Sequence, residues 1–515
     1  MHRKWLLGFI SLSVLAFAGR ITGFFREVIM AFTFGAGSIT DAYLTAFIIF
    51  DIGIAINGAI ITGTHSYLSS HKNESLFTNW MVRYSHFILL ILCLVLLALI
   101  PLIIFLVDIS FIYPLPMKHI IGWSLILLMF STLFFIESGI LSAILQTRGR
   151  ISAPGGLIVF TNTGAIVSLL ICSELIGILS IPVGLLFGAI LFYTYQIYLV
   201  RSKHNKFITN EKPSFSPWLS SVGLIFAIQF LPSIVAIVER IFILPFDDGI
   251  LSYYIYAGRI LLLPVTIIGY ALSLSLISLQ TKFIAESNIT DFNKLSYNGI
   301  LLAAFISGFL AAIFILFPEP IVKIVYERGL FEPSYTKSTA SILRVISLCL
   351  FPFLLLPIFS NIFYSLGLTK KLLVIGITST IINIVMIVIL VPILRNAEAL
   401  GISAIIAGWC NLFLMVYYLE RNKKFTFPRD LIKKLAVIVL TSFALAFFGL
   451  VAINETRLAE QYKYCSTSNN ILYLLFCTAF TCILYIGIIQ IFLRKDIKES
   501  FGSIVNSIRS KYLKQ

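Results

Sequence analysis

Apolar runs of roughly 20 residues or more, parted by short basic breaks, recur along the whole chain. A run of that length crosses about 30 Å of hydrocarbon as a helix. With 59% hydrophobic and only 12% charged residues over 515 positions, a soluble fold could not bury so much apolar surface. Alternating-period barrel strands are not seen, and only helices or closed barrels satisfy the backbone in lipid. The expected fold class is therefore an all-α polytopic membrane protein with about 14 transmembrane helices. Their approximate limits are 5–35, 38–68, 79–107, 117–147, 151–172, 180–200, 216–243, 249–281, 295–317, 338–366, 371–394, 399–420, 432–453 and 470–493.

The longest polar breaks, near 201–215 and 421–431, divide these spans into six, six and two. This predicts two six-helix lobes plus a C-terminal helix pair. An N-lobe would cover 1–200, a cytoplasmic linker 201–215, a C-lobe 216–421, and an accessory pair with a basic tail 422–515. Two halves around a midplane site are a common plan for transporters. The formal net charge of +15 does not point to nucleic acid, because the cations concentrate in short loops on alternate sides. With the N-terminus inside, 26 Lys and Arg fall on the inner side, 7 on the outer side and five within spans. That bias predicts a multi-pass protein, N-in and C-in. Arg3-Lys4 ahead of an apolar run resembles a signal peptide, but the run continues to about Phe34 and predicts an uncleaved first helix.

Two arginines lie inside the first span, in Gly19-Arg20-Ile21-Thr22-Gly23-Phe24-Phe25-Arg26-Glu27. An arginine at bilayer depth costs at least about 2.5–3.5 kcal/mol, so it ordinarily faces a watery cavity or a partner. Gly19 and Gly23 form a small-xxx-small pair that admits a close neighbour. Ser38-Ile39-Thr40-Asp41 reads as a capping-box-like helix start. Asp51 lies some 20 Å into the second span; it could pair with Arg20 or take part in proton coupling. Arg259 lies about 15 Å beyond Gly249, near mid-membrane, and is the strongest single candidate in the second half. Arg344 is either equally deep or interfacial. Glu239-Arg240 reads as a helix-end ion pair, and Glu137 lies near Arg148 and Arg150.

No catalytic constellation, metal site or cofactor motif emerges. The six histidines are scattered, and six of the seven cysteines lie in or beside apolar runs without CxxC spacing. A phosphate-binding loop ending in Lys-Ser/Thr is lacking, which argues against ATP hydrolysis on this chain. The residues favour a secondary transporter or lipid flippase, and not an enzyme.

The first two spans, with Phe34-Gly35-Ala36-Gly37-Ser38-Ile39-Thr40-Asp41-Ala42-Tyr43 after the arginine motif, resemble the opening of the MurJ/MviN lipid II flippase family. Gln146-Thr147-Arg148-Gly149-Arg150 before Pro154, Tyr256-Ala257-Gly258-Arg259 with Pro264 and Gly269, and Tyr326-Glu327-Arg328-Gly329-Leu330-Phe331 extend the likeness in order along the chain. The resemblance implies a two-lobed member of the multidrug/oligosaccharidyl-lipid/polysaccharide exporter superfamily. Such a protein moves a polyprenyl-diphosphate-linked saccharide, lipid II first among them, from the inner to the outer leaflet of the bacterial cytoplasmic membrane by alternating access. It implies Arg20, Arg26 and Arg259 as diphosphate contacts with Asp41 as a supporting acid, and a lipid-tail groove at the last two spans. Membrane lipids and cell-wall or glycan synthesis proteins are the implied company.

The chain also departs from the family's pattern. The family usually has an arginine near the middle of the second span, whereas Asp51-Ile52-Gly53-Ile54-Ala55-Ile56-Asn57-Gly58 has no cation and adds an acid. Gly258 replaces the acid before Arg259, and the eleventh span offers only Asn383 toward the family's sodium site. Five span arginines thus face five acids: Glu27, Asp41, Asp51, Glu137 and Glu239. Two other readings are a flippase for another lipid-linked glycan (O-antigen or exopolysaccharide) and a cation-coupled drug antiporter using Asp51.

Overall fold

A helix stands at every one of the fourteen expected spans. The computed structural model describes residues 2–70, 115–150, 152–201, 215–246, 248–421, 429–455 and 478–489, with single residues and a short helix between. In chain order these form α1 (His2–Phe34), α2 (Ser38–Ala46), α3 (Ile48–Ser70), α4 (Cys93–Leu102) and α5 (Leu115–Thr147). Next come α6 (Gly156–Ile176), α7 (Ser180–Arg201), α8 (Phe215–Ile243), α9 (Ile250–Pro264) and α10 (Tyr270–Ala285). The remainder are α11 (Ile289–Leu316), α12 (Pro318–Tyr326), α13 (Pro333–Ile346), α14 (Leu350–Ser365), α15 (Thr369–Leu394), α16 (Glu398–Glu420), α17 (Arg429–Glu455) and α18 (Thr478–Ile489). No strand occurs among the described residues. Ten described helical stretches are long and apolar enough to cross a membrane, and the 48-residue Ala153–Val200 contains both α6 and α7. The expected linker and basic tail lie almost wholly outside the described residues.

Large apolar side chains face outward along these helices. Leu175 is 83% exposed, and Leu170, Ile171, Ile393, Phe447 and Phe448 are also open. Only a hydrocarbon solvent makes such a surface cheap. The chain is a polytopic membrane protein.

Two compact units form, Met1–Ser252 with Arg328–Phe331, and Tyr253–Glu327 with Glu332–Gln515. In the first, α3 packs between α5 and α8. Ile60, Tyr67, Leu68, Ile140, Ile144 and Trp218 make one core there, and the Trp218 indole N–H donates to Thr64 Oγ1 at 2.8 Å. That packing places α8, the seventh span, in the unit of the first six. In the second unit α11 is the central helix, packed by α10, α14 and α17. Tyr485 of α18 is fully buried and its hydroxyl donates to the Phe305 carbonyl at 2.9 Å.

Helix irregularities concentrate in a few places. Phe47 separates α2 from α3, so the second span is not one continuous helix. A π-helical segment, Val265–Gly269, follows Pro264 and precedes α10. Proline removes a helix donor and crowds the preceding turn, and π segments are frequent at functional sites.

Candidate functional site: buried arginines and a carboxylate cap

Gly19 and Gly23 do what their spacing predicts. Ile158 and Asn162 of α6 lie against them, and a Cβ on Gly23 would meet Asn162 Nδ2 at 3.1 Å. The small residues let the Asn162 amide reach α1 on both sides. Its Nδ2 donates to the Gly19 carbonyl at 3.1 Å, while its Oδ1 accepts from Arg26 Nη1 at 2.9 Å.

Arg26 is buried, 4% exposed. Its Nη2 donates to Glu27 Oε1 at 2.6 Å, an ion pair between adjacent residues, themselves buried together. The Arg26 guanidinium also lies 4.7 Å from the Phe47 ring centroid and 6.0 Å from that of Phe50. Desolvated cation–π contacts of this kind are worth about 2 kcal/mol. Asp51 lies within electrostatic reach of Arg26. Because Phe47 breaks the span, Asp51 sits in the first turn of α3, where a carboxylate complements the helix dipole. That position supplies a structural reason for an acid at this depth. Arg20, six residues before Arg26, is half-buried on α1.

Asp41 corrects an expectation. The start of α2 is capped by Gly37 with no side-chain bond, so Asp41 does not close a local capping box. It caps α9 instead. Asp41 Oδ2 accepts from the Gly249 N–H at 2.8 Å, Oδ1 accepts from the Ser252 N–H at 2.8 Å, and the Ser252 hydroxyl also donates to Oδ1. The first N–H groups of a helix have no partner inside it, and they carry the positive end of its dipole. A carboxylate 3% exposed is thereby satisfied without an arginine.

Two other span arginines serve backbone carbonyls. Arg240 donates to Leu44 O at 3.2 Å and Ala236 O at 2.7 Å. Arg344, in the last turn of α13, donates through Nε to Ile315 O at 3.3 Å and so caps the end of α11.

Arg259 belongs to the second unit. It is half-buried on α9, one turn before Pro264 and the π segment. The ring of Tyr256, fully buried, lies 4.9 Å from that of Tyr326, whose hydroxyl donates to the Tyr256 carbonyl at 3.4 Å. Asn383 is half-buried on α15, and its Oδ1 accepts no hydrogen bond among the described residues. Among the described residues no group of three His, Cys, Asp or Glu is placed to hold a metal.

Sequence reasoning missed Asn162, the aromatic pair Phe47 and Phe50, and the partners of Asp41. An asparagine inside an apolar run is itself a signal, since a polar amide in lipid needs a hydrogen-bond partner. Nothing in the sequence pairs residues 41 and 252.

Helices at the fourteen apolar runs, with ionisable groups buried among them, define a polytopic membrane protein with a polar interior. The solved structures agree at the level of the fold. "Lipid II flippase MurJ, inward closed conformation" superposes with a TM-score of 0.77 at 22% identity, covering 94% of this chain and 99% of that one. An inward-facing multidrug resistance MATE family transporter of the MOP superfamily gives 0.64 at 15% identity over 77% and 93%. The sequence profile of the family described as Lipid II flippase MurJ matches residues 30–473, and the chain belongs to that family. Among its relatives, "Probable lipid II flippase MurJ" of Rickettsia prowazekii (strain Madrid E) is 27% identical over 430 residues, 81% of this chain and 84% of that protein. The protein of the same name from Buchnera aphidicola subsp. Acyrthosiphon pisum (strain APS) is 25% identical over 468 residues, 86% and 89%.

Proposed function

We propose that this chain moves a polyprenyl-diphosphate-linked saccharide, lipid II, from the inner to the outer leaflet of the bacterial cytoplasmic membrane, with both termini inside. The observation that carries the reading is the family match over residues 30–473. Arginine at depth supports it, since guanidinium forks suit phosphate oxygens bidentately and suit a cationic drug poorly. Arg20 and Arg259 are the cations assigned to the diphosphate. Arg26, braced by Glu27 and Asn162, holds α1 on α6 and adds its field. Asp41 is the supporting acid, and it acts by fixing the first turn of α9, two turns ahead of Arg259 along the same helix. Alternating access is supported by relatives of this fold captured in inward-facing and outward-facing forms.

The test is functional replacement in cells depleted of their own lipid II flippase. Growth with normal lipid II turnover is the expected result; lysis with lipid II accumulating in the inner leaflet, despite normal protein levels, refutes the reading. Loss of a surface glycan from otherwise viable host cells on deletion of the gene would assign another lipid-linked glycan.

A further inference from the structure

α15 and α16 pack as a hairpin whose two free ends lie together, the start of α15 beside the end of α16. Its outer side is apolar and open: Val374, Ile377 and Ile381 on α15, Phe413 and Tyr417 on α16. At the free end three exposed cations gather. Lys370 and Lys371 occupy the first turn of α15, and Arg421 follows directly after α16.

This placement runs against the helix dipole. Cations in a first turn face the positive end of the helix, where an anion is favoured. The first turn of α15 contains no acid. Among the described residues, neither the Lys371 nor the Arg421 side chain takes part in an ion pair or a hydrogen bond. They are held instead on aromatic faces. Arg421 lies 4.6 Å from the Tyr417 centroid and Lys371 lies 5.8 Å from that of Tyr418, and the two rings meet edge to face at 5.7 Å. Two cations are thus set on adjoining rings at the end of an exposed apolar surface, and tyrosine is a residue that favours the membrane interface.

We propose that this end of the hairpin binds the phosphodiester headgroup of an anionic phospholipid. Lys371 and Arg421 take the phosphate, Lys370 adds charge, and the acyl chains run along Ile381 and Phe413. The headgroup relieves the like-charge conflict at the start of α15, which a zwitterionic lipid does less well. Basic pockets between membrane helices recognise such headgroups.

The test uses the purified full chain in detergent, titrated with short-chain phosphatidylglycerol, phosphatidylcholine or glycerol phosphate and followed by native mass spectrometry. Saturable binding of phosphatidylglycerol is expected, with little of either alternative. In the double variant Lys371→Gln/Arg421→Gln the affinity should fall roughly 30-fold, as about 1 kcal/mol per basic side chain predicts. Lys371→Arg/Arg421→Lys should keep most of it, which separates lost charge from lost folding. Removing equal charge at Lys282 and Lys294 should leave it unchanged. Unaltered binding in the Gln double variant, or equal loss at Lys282 and Lys294, overturns the site. Glycerol phosphate binding as tightly as the lipid overturns the lipid assignment.

Discussion

Glu27→Ala removes the carboxylate bonded to the Arg26 guanidinium, and its effect can be worked from the geometry. Both residues are buried, and the pair is 2.6 Å apart. Deleting one partner of a buried pair costs about 3–5 kcal/mol, because the other charge stays behind uncompensated. Part of that loss is recovered. Asn162 still accepts from Nη1, and the Phe47 face still lies 4.7 Å from the guanidinium. A desolvated cation–π contact and a hydrogen bond to a charged group persist, so the net destabilisation should be about 2–4 kcal/mol. Asn162→Ala should cost about 1.5–3 kcal/mol, the value of a hydrogen bond to a charged group. Replacing both charges, as Arg26→Met/Glu27→Leu, should restore most of the stability, since apolar isosteres often match a buried pair. Unfolding free energies measured by steric trapping in bicelles check all three. A Glu27→Ala protein within about 0.5 kcal/mol of the parent, the ordinary scatter of neutral surface changes, would refute the buried-pair reasoning. Complementation by the double variant then asks a separate question. Stable but inactive protein assigns Arg26 a part in transport beyond bracing α1.

Other consequences follow from single contacts. Asp41→Ala strips the acceptor from the Gly249 and Ser252 N–H groups, and each orphaned donor costs about 1–3 kcal/mol; hydrogen exchange at the first turn of α9 should rise, and unchanged protection there would count against the cap. Gly329 has φ +59, and a Cβ there would collide with the Phe32 carbonyl oxygen and approach its ring at 2.8 Å. Gly329→Ala should therefore break the Leu330 N–H bond to Phe32 O, destabilising by more than about 1 kcal/mol in the same unfolding assay. Arg259→Ala should abolish complementation while the protein accumulates normally, and full growth with that variant would reject its headgroup role.

Much of the fold was legible because lipid imposes one rule on every span: runs of apolar residues become helices, and basic breaks end them. The site was legible in part, and the reason differs by residue. Gly19 and Gly23 announced a close helix by their spacing, and α6 is found there. Asp41 stood four residues after a helix-breaking Gly37, and local spacing therefore suggested a local cap. Its true partners lie 208 and 211 residues away, a separation that no short-range pattern encodes. That Asp51 stands in the first turn of a helix was not legible, because the break at Phe47 leaves no Gly or Pro signal. Phe47 remains in the αR region there, so a helical reading across it was the natural one.

Counting charges within spans sets five acids against five arginines, and the structure shows how several of them are answered. Glu27 does neutralise Arg26. Asp41 is answered by N–H groups at the start of α9, a partial positive charge that belongs to the backbone. Arg240 and Arg344 are answered in turn by carbonyls of Leu44, Ala236 and Ile315. Helix ends therefore enter the balance beside side chains, each as about half an elementary charge. An acid held by a helix start does not remove an arginine from the count available to a ligand, and an arginine held by carbonyls does not require an acid. Asp51 likewise stands in the first turn of α3, where the backbone N–H groups favour a carboxylate.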